Sequence, residues 1–322
     1  MKKKLSALFA AGLISLSLGA CGGTGGGISA NAPADTTAGS AESSDTVKIA
    51  YLPITHSLAV LEEANELRDK DGIKVELVKY GSWPELLDAL NTGRVDGASV
   101  LIELAMKSKQ EGIGIKAVAL GHKDGNVIIV SNDIENAEDL KGKTFAIPHR
   151  QSSHNILLND ALAKNGLTID DVNVTELAPT EMPSALASGT IDGYCVAEPF
   201  GAMAVSLGAG KVLYTSEELW ENSICCGLVL TDTFIEQRPD DAKSFVESYK
   251  TAGANLTKEK AKEVAKEYLS QSDEVLDTSL EWISYNDLDI TEETYSILVD
   301  KVKAYGLSDD PPSYEEFVKN DF

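Results

Sequence analysis

The sequence predicts an α/β protein built from two similar lobes, each a mostly parallel sheet flanked by helices. Strand-like and helix-like segments alternate from Val47 onward, the order that places helices on both faces of a parallel sheet. The alternation restarts after Asp139. One segment also repeats without a gap. Residues 89–97 read Ala-Leu-Asn-Thr-Gly-Arg-Val-Asp-Gly, and residues 185–193 read Ala-Leu-Ala-Ser-Gly-Thr-Ile-Asp-Gly. In both, a helix ends, the chain turns and a strand begins. Gly93 and Gly189 suit helix C-caps, and Asp96 and Asp192 stand at the mouths of strands. Such a turn is common in α/β proteins, but two copies in corresponding places indicate two related units.

The chain opens Met1-Lys2-Lys3-Lys4 and continues as an apolar run from Leu5 to Leu18. A basic start and a short apolar run make a secretory signal, too short to span a bilayer. The run ends Leu18-Gly19-Ala20-Cys21, which resembles the bacterial lipobox. Residues 1–20 are therefore expected to be a lipoprotein signal peptide. Cys21 would be the lipid attachment point and 21–46 a flexible tether, rich in Gly, Ala, Ser and Thr. The expected location is extracytoplasmic, lipid-anchored to the cell membrane.

The folded part is expected from Val47. Strands are predicted over 47–52, 73–80, 94–100, 115–120 and 126–131, with helices over 56–68, 102–110 and a third opened by Ser82-Trp83-Pro84, where proline suits the first turn. After Asp139 come strands at 144–147, 172–177, 191–196, 212–214 and 225–230, and helices at 152–165, 180–187 and from Pro199. The remainder reads as helices over 239–256, 258–270, 273–284 and 291–305.

The formal charge is -23, and loss of the three lysines of the signal would carry it to -26. That excludes nucleic acid as a direct partner and disfavours an anionic membrane surface. Of four cysteines, three follow Cys21: Cys195, Cys225 and Cys226. An odd number is no disulfide framework. They read as small buried residues or as one bridge from Cys195 to the adjacent pair.

Several segments resemble the type II periplasmic-binding proteins of ABC importers, in the branch that binds nitrate, bicarbonate, alkanesulfonates or thiamine precursors. They are IAYLPITHS (49–57), LLDALNTGRVDGAS (86–99), AEDLKGKTFAIP (137–148), SSHNILLNDALAKNGL (152–167) and ALASGTIDGYCVAEPFGA (185–202). The resemblance implies two lobes joined by two crossovers, 47–130 plus 231–322 and 131–230, closing on a ligand by a hinge motion. It implies capture of a small-molecule ligand by a monomer that docks on the permease subunits of an ABC importer, with the lipid as its membrane contact. It implies no enzyme and no cofactor.

Ligands of open α/β sheets bind beyond the carboxyl ends of strands. That rule selects Thr55, His56, Trp83, Ser99, His122, Arg150, Gln151, Ser152, Ser153, His154, Tyr194 and Glu198 as candidate ligand-binding residues. All four histidines, His149 included, fall on strand ends. They suit either ligand contact or loop capping. No HxxxH spacing places two on one helix face, so no metal ligands are assigned. Arg150 and Ser152 open a helix whose free N–H groups favour an anion. Trp83 suits stacking on a flat ligand or a staple at its helix start. Glu198 suits an amine or pyrimidine ligand, a metal, or capping of the helix after Pro199. A small anion such as a sulfonate or nitrate is the expected solute. The alternative is a thiamine-precursor pyrimidine, or an enzyme acting on such a compound.

Overall fold

A computed structural model describes residues 46–322; the signal and tether readings at 1–45, Cys21 among them, lie outside it. The first sheet contains β1 (Thr46–Tyr51), β2 (Lys74–Lys79), β3 (Gly97–Leu101) and β4 (Ile115–Leu120). After β5 (Lys123–Asp124) the chain builds the second sheet from β6 (Asn126–Val130), β7 (Thr144–Ile147), β8 (Asn173–Glu176), β9 (Gly193–Ala197) and β10 (Lys211–Thr215). It then returns as β11 (Cys226–Thr231) and closes with β12 (Ile283–Ser284) among the C-terminal helices.

The first sheet has the order β2-β1-β3-β11-β4 and the second β10-β6-β9-β7-β8. Each is parallel except for one internal strand. β11 runs antiparallel to β3 and β4, and β6 antiparallel to β9 and β10. The chain changes sheet one strand earlier than the boundaries expected at 130 and 230: 126–130 pairs in the second sheet and 226–231 in the first. Local periodicity marks a strand but not its distant partner, so the sequence placed each with the lobe just left. β3, β6, β9 and β11 are buried along their whole length, as strands with both faces covered must be.

The sequence repeat is a structural repeat. Asp96 Oδ2 accepts the Lys48 backbone N–H at 2.8 Å, and the Asp96 N–H donates to Lys48 O at 2.8 Å. Asp192 makes the same pair with Thr144, again 2.8 Å each way. Each aspartate thus seats a new strand parallel to an earlier one, β3 beside β1 and β9 beside β7. Gly93 and Gly189 both take φ +69°, the left-handed value that lets the preceding helix stop.

The expected helix over 273–284 ends at Ser279. Ile283–Ser284 pairs instead with Lys123–Asp124, so the C-terminal segment braces the first crossover. Asp124 also ties the crossovers together: its Oδ1 accepts the Ser223 N–H at 3.0 Å and the Ser223 hydroxyl at 3.1 Å. No helix among the described residues is long and apolar enough to cross a membrane.

Candidate functional site

The carboxyl ends of the sheets meet at the two crossovers. The turn after β1 carries Thr55 and His56, the first crossover His122 and Asn126, and the second Cys225, which leads into Cys226 at the start of β11. The helix over 153–164 brings Ser153 and His154 from the second lobe. All of these side chains are buried.

His56, His122, Cys225 and Cys226 form one cluster, with a nitrogen or sulfur of each within 4.8 Å of the others. The imidazoles of His56 and His122 stack with centroids 3.6 Å apart. His56 Nε2 lies 3.0 Å from Gly125 O. A carbonyl only accepts, so Nε2 carries the proton and Nδ1 keeps its lone pair. Nδ1 faces Cys226 Sγ at 3.5 Å. The two sulfurs are 3.8 Å apart, and all three described cysteines are free thiols. Gly121 permits this approach: a Cβ there would lie 2.9 Å from His56 O and 3.2 Å from Cys226 O.

Burial lowers His122 and His154 to about 4, with the neighbouring His56 adding to the effect in each. Both are therefore neutral near pH 7. Burial pushes the Cys226 thiol up, and its hydrogen bond with Cys225 pushes it further. Burial acts upward on Cys225 as well, but there the hydrogen bond from Cys226 and the imidazoles of His154, His56 and His122 outweigh it and hold the thiol well below its ordinary value.

Next to this cluster, Ser153 Oγ, Asn126 Nδ2 and both ring nitrogens of His154 are buried and make no hydrogen bond within the chain. Leaving such a group unpaired costs about 1–3 kcal/mol. Several together make this cleft the candidate binding site. Among the described residues, no lysine or arginine is buried.

The other candidates are engaged elsewhere. Arg150 is exposed: its N–H bonds Glu176 and its guanidinium donates to Val174 O at 2.7 Å, on the edge of β8. Gln151 donates to Leu307 O at 2.9 Å, across to the C-terminal segment. Ser152 caps its helix, accepting the Asn155 N–H. Tyr194 donates to Phe200 O, Trp83 belongs to the apolar core, and the Ser99 hydroxyl accepts from Ser57 at 3.2 Å.

Glu198 and Thr55 hold the lobes together. Thr55 donates through its N–H and hydroxyl to Glu198 O, at 2.8 and 3.0 Å. The Glu198 carboxyl meets the Ala202 N–H and the Ser279 hydroxyl. Cys225 and Cys226, read from the sequence as small buried residues or as partners for a bridge to Cys195, join this cluster without having been among the candidates. A pair of adjacent cysteines directly before a strand, with histidines on neighbouring strand ends, was the available signal.

Two sheets exchanging one antiparallel strand each, with a polar cleft at the two crossovers, define the type II periplasmic-binding fold. A model of the NMT1-like family matches residues 40–270, and the chain belongs to that family. It is 41% identical to the ligand-binding component of an ABC-type import system from Staphylococcus aureus, solved with zinc bound. The TM-score is 0.82, over 85% of this chain and 96% of that one. It is 29% identical over 198 residues to the bicarbonate transport ATP-binding protein CmpC of Synechocystis sp., covering 55% of this chain and 30% of the relative. It is 25% identical over 246 residues to the nitrate/nitrite binding protein NrtA of Nostoc sp., covering 68% of this chain and 56% of the relative. The chain thus spans under two thirds of the length of these two relatives.

Proposed function

We propose that the protein is the extracytoplasmic solute-binding component of an ABC importer. It captures a small solute in the cleft between its lobes and delivers it to the membrane permease. The observation that carries this is the group of unpaired, buried polar atoms where the two sheets meet. The relatives named for import and for nitrate binding support it. For a small anion such as nitrate or a sulfonate, the cleft offers the Ser153 hydroxyl, the Asn126 amide, a His154 N–H and the N-terminus of the helix over 153–164. Arg150, on the outer edge, is not part of this set. The import and nitrate-binding relatives favour capture over catalysis. Attachment through a lipid on Cys21, and action as a monomer, complete the proposal. A Cys21→Ser change should release the protein from the membrane fraction.

The test is a melting screen of the purified full-length protein with nitrate, bicarbonate, alkanesulfonates, thiamine-precursor pyrimidines and metal ions. Zinc belongs in it because the S. aureus relative holds zinc. A true solute at 100 times its Kd adds about 2.7 kcal/mol of stability. No shift with any of them would refute the reading.

A further inference from the structure

We propose that His56, His122, Cys225 and Cys226 form a binding site for a thiophilic transition-metal ion, and that such an ion is the solute this cleft takes. This rests on the reading of the chain as a solute-binding component and names the cargo class. Four donors around a tetrahedral zinc ion, at about 2.0 Å for nitrogen and 2.3 Å for sulfur, stand roughly 3.3–3.8 Å from one another. The donor atoms here already lie within 4.8 Å of one another, and the two sulfurs are 3.8 Å apart. A contraction of about 1 Å completes the shell. Adjacent residues in a strand point to opposite faces. Cys225 stands just before β11, so that rule does not separate the pair.

The surroundings are those of a metal site. Gly125 O accepts the hydrogen bond of His56 Nε2–H at 3.0 Å, which leaves Nδ1 as the nitrogen turned toward Cys226 Sγ. Ligating histidines are held in this way by a second partner. Among the described residues, the buried polar ones include no lysine or arginine, so no resident lysine or arginine would compete. Two thiolates with two neutral imidazoles balance a divalent ion, which makes burial of the charge tolerable. Soft sulfur donors select zinc or monovalent copper over magnesium or calcium. The thiols also form no disulfide in a chain proposed above to work outside the cytoplasm, where free thiols tend to oxidise.

The experiment is a titration of untagged, reduced, full-length protein with zinc, read by calorimetry, and with cobalt as a spectroscopic substitute. The expected result is one ion per chain, with thiolate-to-cobalt charge-transfer absorption. Cys225→Ser combined with Cys226→Ser should weaken zinc binding more than 100-fold, beyond the roughly 10- to 100-fold cost of losing an outer-shell partner. Circular dichroism checks that this variant folds. If it does not, the wild-type cobalt spectrum decides, because bound cobalt without a thiolate band overturns the proposal. Zinc bound equally well by a folded double variant overturns it too. If zinc does not bind but nitrate or a sulfonate raises the melting temperature, the metal inference fails and the solute-binding reading stands. If neither acts, both fail.

Discussion

Replacing Glu198 with glutamine should flatten one component of the pH dependence of stability. Glu198 is fully buried between the lobes. Burial pushes its carboxyl up to about 7 from an ordinary 4.5, although the Ala202 N–H and the Ser279 hydroxyl pull the other way. The Ser279 hydroxyl has one hydrogen and two acceptors in reach, Val275 O at 2.7 Å and Glu198 Oε2 at 2.9 Å. Helical serine commonly donates to the carbonyl four residues back. A protonated Glu198 then donates to Ser279, and the pair is fully satisfied. When Glu198 ionises, that arrangement is lost. Between pH 4.5 and 7 the unfolded carboxyl has released its proton while the folded one keeps it. The folded state binds more protons, so stability falls as pH rises through this window and levels off above it. A rise from 4.5 to about 7 corresponds to about 3 kcal/mol at roughly 1.36 kcal/mol per unit. Glutamine cannot ionise, its Nε2 can donate to Ser279 and its Oε1 can accept from Ala202. The stability of Glu198→Gln minus that of wild type should therefore increase by about 3 kcal/mol from pH 4.5 to pH 8. Urea unfolding followed by circular dichroism at pH 4.5, 6 and 8 measures it. A difference constant to within about 0.5 kcal/mol across that range would refute the reasoning.

Asp96→Ala and Asp192→Ala should each destabilise by about 1–2 kcal/mol, because each removes a carboxylate that accepts a strand N–H. The double variant should show the sum, since the two sites lie in different sheets; chemical denaturation reads all three. Gly121→Ala should cost solute affinity before it costs the fold. Its Cβ would press on the carbonyls of His56 and Cys226, spreading the cluster, and calorimetry beside a melting curve separates the two effects. Ser153→Ala should remove an unpaired buried hydroxyl and so leave stability unchanged or raised by about 1 kcal/mol. The same change should weaken binding of any anion that raises the melting temperature of wild type.

Most strands were legible in the sequence because apolar runs between turn residues are local signals. The paired Asp96 and Asp192 turns were legible because the same backbone geometry selects the same residues twice. The traffic of β6 and β11 between sheets was not legible, since antiparallel insertion beside a distant strand leaves no local trace. The strand-end rule selected His56, His122 and His154, which the fold gathers near the crossovers. It failed for Arg150 because the end of β7 turns outward there, toward Val174 and Glu176 on the edge strand β8. Cys225 and Cys226 escaped because burial alone explains a cysteine until its neighbours in space are known.

The strand exchange has a further consequence. β4 and β11 are antiparallel neighbours, and the Gly121 N–H donates to Cys226 O at 2.8 Å. They are the two arms of a hairpin whose tip has been replaced by about a hundred residues. Within them the second sheet begins with β6 and ends with β10, and these two strands also lie side by side. The second lobe is therefore a domain inserted into a hairpin of the first, with its entrance and exit together, as tolerated insertions usually are. Two adjacent straps resist pulling apart yet can bend together. His122 and Cys225 ride on those straps, close to any axis of bending, whereas Ser153 and His154 ride on the inserted domain. A rotation would move the first pair little and the second pair far, so the cluster on the straps keeps its shape while the opposite wall approaches.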